Sequence, residues 1–204
     1  TCRFSLDTNN YFVEATCFEI PANDLYLLSI LNSKLMFFYL RALTPVLGDT
    51  NKRGRLRFKT VYLKGLPIRL ISHNTPNAQR AHIIDEIKKL FSLSEYSEIE
   101  KISTNCLLVK IGDKVLETEA QSDIVQDSLI FLAQQMIDLN KEKKKELNGF
   151  LQWLQEFLQL KVEDFSSKTK ILEYFQFSWD EFYHAILKNR QKISNIDISR
   201  RYPL

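Results

Sequence analysis

Residues 122 to 160 constrain the fold most. Leu129, Leu132, Met136 and Leu139 recur at a 3-4-3 spacing, which places them on one side of an α-helix and on no consistent side of a strand. The seam fails at Lys143 and resumes at Leu147, Phe150, Leu154, Phe157 and Leu158. A helix with so long an apolar face must lay it on something, so this region is expected to be mainly α-helical with long amphipathic helices. Between the two apolar runs lies "NKEKKKE" (140–146), read either as a solvated turn of one helix or as a break between two antiparallel helices. Further on, "SWDE" (178–181) forms a capping box, its serine and glutamate placed to satisfy the first free N–H groups of a helix running through Leu187.

The first part of the chain reads differently. Residues 3–20 hold short β-favouring runs, "RFSL" and "YFVEATCFEI", on either side of the turn-prone "DTNN", a pattern for a hairpin. "LYLLSILNSKLMFFYLRAL" (25–43) approaches membrane-spanning length, but Asn32, Ser33 and Lys34 sit at its middle, where a lysine alone costs about 3 kcal/mol in a bilayer. It is read as two buried helices, the first closed by Asn32 in a left-handed conformation and the second capped by Ser33. "VYLKGLPIRLI" (61–71) is expected to continue as β structure interrupted by Gly65 and Pro67. From Thr75 the pattern turns helical, with Thr75 as cap, Pro76 in the first helical position and Ile83, Ile84, Ile87 and Leu90 on one face. "NCLLVKIGDKVLET" (105–118) reads as a second hairpin about Gly112 and Asp113.

Charge is distributed unevenly. Residues 1–72 carry ten Lys/Arg against five Asp/Glu, a net of +5, whereas the remainder is slightly acidic at −2. After Asp49 the next acidic residue is Asp85, and the interval holds Lys52, Arg53, Arg55, Arg57, Lys59, Lys64, Arg69 and Arg80. Arg53, Arg55, Arg57 and Lys59 fall two apart, so in an extended strand all four leave from one face while Leu56 and Phe58 leave from the other. Such a face suits nucleic acid, an acidic protein partner, or no partner at all, since cations on an edge strand also discourage sheet-to-sheet aggregation. The use of arginine, whose planar fork pairs bidentately with phosphate and with guanine, favours nucleic acid.

Signs of catalysis are missing from the motifs. There is no G-x-G-x-x-G, no G-x-x-x-x-G-K-[ST], no H-E-x-x-H and no G-x-S-x-G. His73, His82 and His184 have no paired metal spacing, and the E-x-K triplet within "DEIKK" puts Glu86 and Lys88 on different sides of a helix. Cys2, Cys17 and Cys106 are odd in number and lack a C-x-x-C pair, which points to a reducing, cytoplasmic home, and Cys106 is expected to be packed inside an apolar strand. No catalytic or metal-ligating residue is assigned. The opening on Thr1 suggests a piece of a longer protein.

"YLLSILNSKLMFFYLRAL", a loop, and then "RFKTVYLKGLPI" resemble the TaqI-like C-terminal specificity domain of adenine-N6 DNA methyltransferases and type IIG restriction-modification proteins. The carrying positions are Leu27 to Leu35, then Phe58, Lys59, Tyr62, Leu63, Leu66, Pro67 and Ile68. "ISTNCLLVKIGDKVLETEAQSDIV", "FLAQQMIDLNKEKKKELNGFLQWL" and "SKTKILEYF" are similar to segments that follow the specificity motif in large proteins of that class. One departure is "LPIRL", where a second proline is common after "LPI".

The resemblance implies an α+β fold: a small mixed β-sheet with packed helices over 1–72, a helix and hairpin over 73–121, and a helical spacer over 122–204. It implies recognition of double-stranded DNA by a non-catalytic module that contacts an upstream methyltransferase domain. S-adenosylmethionine would bind that upstream domain and not this chain. Lys52, Arg53, Arg55, Arg57 and Lys59 are the residues expected to contact DNA. The alternative is a helical protein-interaction scaffold, with residues 122–160 as its working surface and the basic strand inert.

Overall fold

The computed structural model describes residues 4–9, 11, 17–48, 55–56, 58–107, 109–111, 114–116 and 121–193. The chain forms two compact units, Thr1–Ile137 and Asp138–Leu204.

In the first unit, helix α1 (Leu25–Leu31) opens on Asp24, whose carboxylate accepts the N–H groups of Tyr26 and Leu27 at 2.8 and 3.1 Å. Helix α2 (Lys34–Leu43) opens on Ser33, whose hydroxyl accepts the Met36 N–H at 3.0 Å. Each cap satisfies donors that the first turn of a helix leaves orphaned. The joint between them differs from expectation in one respect. Asn32 sits at φ −89° and ψ 0°, not in the left-handed region. Its side chain instead clamps another strand of chain: Oδ1 accepts the Phe4 N–H, and Nδ2 donates to the carbonyls of Phe4 and Leu28, all at 3.0 Å. A side-chain amide that pairs with a backbone amide in this way has no need of the αL turn to end its helix. Leu31, Met36 and Leu40 are buried at the centre of this region, and Phe4, Leu27, Ile30, Tyr39, Phe58, Leu63, Leu66 and Ile68 pack around them.

Among the described residues the expected α+β fold with a mixed β-sheet does not form, and the architecture is mainly helical. Among the described residues β structure is confined to two separate antiparallel ladders, β1 (Val46–Leu47) with β2 (Arg55–Leu56), and β3 (Val109–Ile111) with β4 (Lys114–Leu116). The second ladder is the hairpin expected near Gly112 and Asp113, with Val109 opposite Leu116 and Ile111 opposite Lys114. Residues 61–64, read as strand from their β-branched and aromatic content, lie in a short helix α3 (Thr60–Lys64). Leu63 and Leu66 face the buried cluster at helical spacing while Val61 is exposed, so burial of one stripe overrides strand propensity. The hairpin expected over 3–20 falls partly on residues 12–16, outside the described residues; the described flanks form no ladder. Asp7 does make the anticipated turn, accepting the N–H groups of Asn9 and Tyr11 at 2.8 and 2.7 Å.

Helix α4 (Asn77–Ser92) packs on α5 (Tyr96–Leu107), and Phe91 stands edge-on to both Tyr96 and Phe131. Thr75 was expected to cap α4, but no side-chain cap is made there. Its hydroxyl and N–H go to the two carboxylate oxygens of Asp123, at 2.7 and 2.8 Å. A buried carboxylate is a stronger acceptor than any group Thr75 could find locally, and so takes both donors. Cys106 lies in α5, not in a strand, and is buried. Helix α6 (Ser122–Leu158) is continuous, so "NKEKKKE" is a solvated part of one helix, with every residue of 140–146 exposed.

The second unit takes its core from the end of α6, a 3-10 turn (Val162–Asp164), α7 (Lys168–Leu172) and α8 (Trp179–Leu187). Leu154, Leu158, Val162, Phe165, Ile171, Phe182, Ala185, Ile186 and Ile193 are its buried members. The capping box before α8 is present in both directions: the Glu181 N–H reaches Ser178 Oγ at 3.4 Å, and the Ser178 N–H reaches Glu181 Oε2 at 3.1 Å. Asn189 is buried where the core needs a polar bridge, accepting the Ser166 N–H at 2.8 Å and donating to the Ala185 carbonyl at 2.9 Å.

Candidate nucleic-acid interface

The basic run is approached through the β1–β2 ladder, with Val46 opposite Leu56 and Leu47 opposite Arg55. Gly48, at φ +87°, takes the chain out of β1 in a conformation that a side chain would strain. Lys52, Arg53 and Arg57 lie outside the described residues, and for Arg55 only the backbone pairing is described. Lys59 is described in full: its backbone is extended at φ −136° and ψ 152°, it is exposed, and it stands immediately before α3.

The apolar side of this segment is anchored. Leu56 and Phe58 are half-buried, and the Phe58 ring lies 6.0 Å from that of Phe4. Of the motif positions, Phe58, Leu63, Leu66 and Ile68 pack against the Leu31, Met36 and Leu40 cluster, whereas Pro67 is exposed. The Tyr26 hydroxyl donates to the Arg69 carbonyl at 3.3 Å and ties the end of the motif to α1. Burial pushes that hydroxyl above the usual tyrosine range; Arg69 opposes the shift and Asp24 adds to it.

Not every cation of the interval is available to a partner. Arg80 is held by Asp127, its Nε and Nη2 reaching Oδ2 at 2.9 and 2.6 Å. Lys64 and Arg69 are exposed, as are Lys34 and Arg41 on α2, which sequence reasoning passed over although their seven-residue separation places them on one helix face. A shallow cleft of about 300 Å³ is lined by Asn77, Arg80, Ala81, Ile84 and Asp127, and its two charged groups neutralise each other.

The groups with perturbed acidity here serve packing. Burial raises Asp123, but the Thr75 N–H and hydroxyl, the Ile124 N–H and the nearby Arg80 outweigh it and hold the carboxyl below its ordinary range. The Cys106 thiol is pushed up, by burial first and by the Asp123 charge second, which makes it a poor nucleophile. His73, His82 and His184 are exposed. Among the described residues no group of His, Cys, Asp and Glu could hold a metal ion, and no helix is long and apolar enough to cross a membrane.

No curated protein and no solved structure matches the chain. Residues 122–202 match a domain of unknown function (DUF8810). The helix pair, the ladder and the Phe58 to Ile68 motif all lie within residues 1–68, and that first third of the chain matches the TaqI-like C-terminal specificity domain.

Proposed function

We propose that this chain is the target-recognition part of a restriction-modification DNA methyltransferase, binding double-stranded DNA without catalysing a reaction itself. The carrying observation is the match of residues 1–68 to a specificity domain whose apolar motif is seated on a buried cluster. In this reading residues 1–72 form the recognition module, 73–121 its continuation and 122–204 a helical spacer. Lys52, Arg53, Arg55, Arg57 and Lys59 meet the duplex, one arginine reading a guanine edge and the others neutralising phosphates. The flipping and methylation of adenine, with S-adenosylmethionine, belong to an upstream domain that contacts this one. The working compartment is the cytoplasm.

Binding of a duplex, followed by fluorescence anisotropy across a salt series, tests the proposal. Neutralising three to five phosphates predicts a slope of log affinity against log salt of about −2.7 to −4.5. Replacing Arg53, Arg55 and Arg57 together with alanine should weaken binding and flatten that slope. Salt-independent binding, or a triple variant that binds as before, would refute the reading.

One observation favours the scaffold alternative. In the second unit Trp153 stacks on Phe157 at 5.1 Å, and Trp153, Phe175 and Trp179 remain 52%, 45% and 64% exposed, an aromatic surface suited to a protein contact. Leu154, by contrast, is a core residue and no part of such a surface.

A further inference from the structure

The outward face of α2 lies within the run that carries the resemblance, yet it combines features that neither the buried cluster nor the basic strand accounts for. Met36 and Leu40 turn inward, and on the other side Lys34, Leu35, Phe38, Arg41 and Ala42 fall within roughly 120° of arc. Leu35 and Phe38 are 78% and 73% exposed, an unusual placement for two large apolar side chains on one helix. One cation stands a turn before Phe38 and another a turn after it. Neither Lys34 nor Arg41 makes an ion pair among the described residues, and residues 25–48 contain no acidic side chain. The face is therefore apolar at its centre and cationic at both ends.

Two partners are disfavoured, one by charge and one by the extent of the apolar area. A second copy meeting it across a two-fold axis would set Lys34 against Arg41 and repel. Binding to a membrane surface scales with the apolar area buried, and this face offers only two large apolar side chains, Leu35 and Phe38. A duplex minor groove fits. Seven residues carry Lys34 and Arg41 about 10 Å apart along the axis, enough to reach the phosphates on both sides of a groove about 6 Å wide. Leu35 and Phe38 then point into the groove, where apolar side chains wedge between base steps and bend the helix axis. Resting on the DNA-recognition reading above, we infer that α2 is a second DNA contact, a minor-groove wedge with Phe38 and Leu35 at its tip and Lys34 and Arg41 as its phosphate clamps.

The substituted side chains are all exposed, so variants should keep the wild-type circular dichroism spectrum and melting temperature. The probe is a mixed-sequence duplex of about 30 base pairs carrying a fluorescence energy-transfer pair at its ends. The wild-type chain should raise transfer on binding, and the Leu35→Ala/Phe38→Ala variant should bind with that rise abolished. The Lys34→Ala/Arg41→Ala variant should flatten the salt slope by about 2. No rise with the wild type, or unaltered slope and transfer in both variants, overturns the wedge and leaves the face as a protein-docking surface. If Arg53→Ala/Arg55→Ala/Arg57→Ala still weakens duplex binding in that case, only this inference falls. If that triple variant also binds as wild type, the DNA-recognition reading falls with it.

Discussion

Replacing Asp123 with alanine should destabilise the first unit severely. The carboxylate is 1% exposed and accepts three hydrogen bonds, from the Thr75 N–H and hydroxyl and from its neighbour Ile124 at 2.9 Å. Alanine leaves at least two buried donors without an acceptor, each costing about 1–3 kcal/mol, so a loss of about 3–5 kcal/mol is expected. Asparagine keeps the shape and one acceptor, and the Thr75 hydroxyl can turn to accept from its amide, so Asp123→Asn should cost roughly half as much. The assay is urea denaturation followed by far-ultraviolet circular dichroism, which senses the helices of both units. Tryptophan fluorescence serves as a control, since Trp153 and Trp179 both lie in the second unit.

The pH dependence of the same group has a definite sign. Its folded pKa is depressed below the unfolded value of about 3.9, so its stabilisation is fully present above that value and is lost as pH falls through the folded pKa. The gap between wild type and Asp123→Ala should therefore hold constant near neutrality and narrow under acid. A loss below about 1 kcal/mol at neutral pH, or a gap that widens in acid, would refute the assignment of Thr75 and Asp123 as a buried lock.

Other outcomes follow from the same structure. Asn32→Ala removes three hydrogen bonds at an exposed joint and should cost about 1–2 kcal/mol, with faster amide exchange at Phe4 as its local signature. In the native protein a maleimide should label the exposed Cys17 and spare the buried Cys106 until denaturant is added, as peptide mass spectrometry would report. Gln159 ends α6 at φ +52° while the Leu160 N–H reaches back to the Gln155 carbonyl, so Gln159→Gly should raise the midpoint of tryptophan-monitored unfolding by the equivalent of about 1 kcal/mol.

The elements legible in the sequence were those whose signal is local. The helical periodicity of α6, the box before α8, the Ser33 cap and the β3–β4 ladder each rest on residues within a few positions of one another, although Met136 and Leu139 of the expected α6 seam are exposed. Where reading failed, a distant group had intervened. Val61 and Tyr62 favour strand, yet Leu63 and Leu66 are claimed by a cluster built on α1 and α2. Helix α5 carries Ser, Thr and Asn that weaken its propensity, and it is held by Ile99 and Cys106 burying and by Phe91 against Tyr96. Arg80 counts as a free cation in the sequence until Asp127, 47 residues on, takes it.

The same division applies to the candidate site. Sequence alone determined that cations concentrate between Asp49 and Asp85, that arginines alternate there, and that an apolar specificity motif follows them, because charge, spacing and motif are properties of the chain as written. Only the tertiary structure decided that Arg80 is taken by Asp127, that Arg55 and Leu56 pair with β1, and that α2 turns Leu35 and Phe38 outward. Those outcomes depend on which face of each element wins the buried cluster, and burial is settled by all the elements competing for it at once.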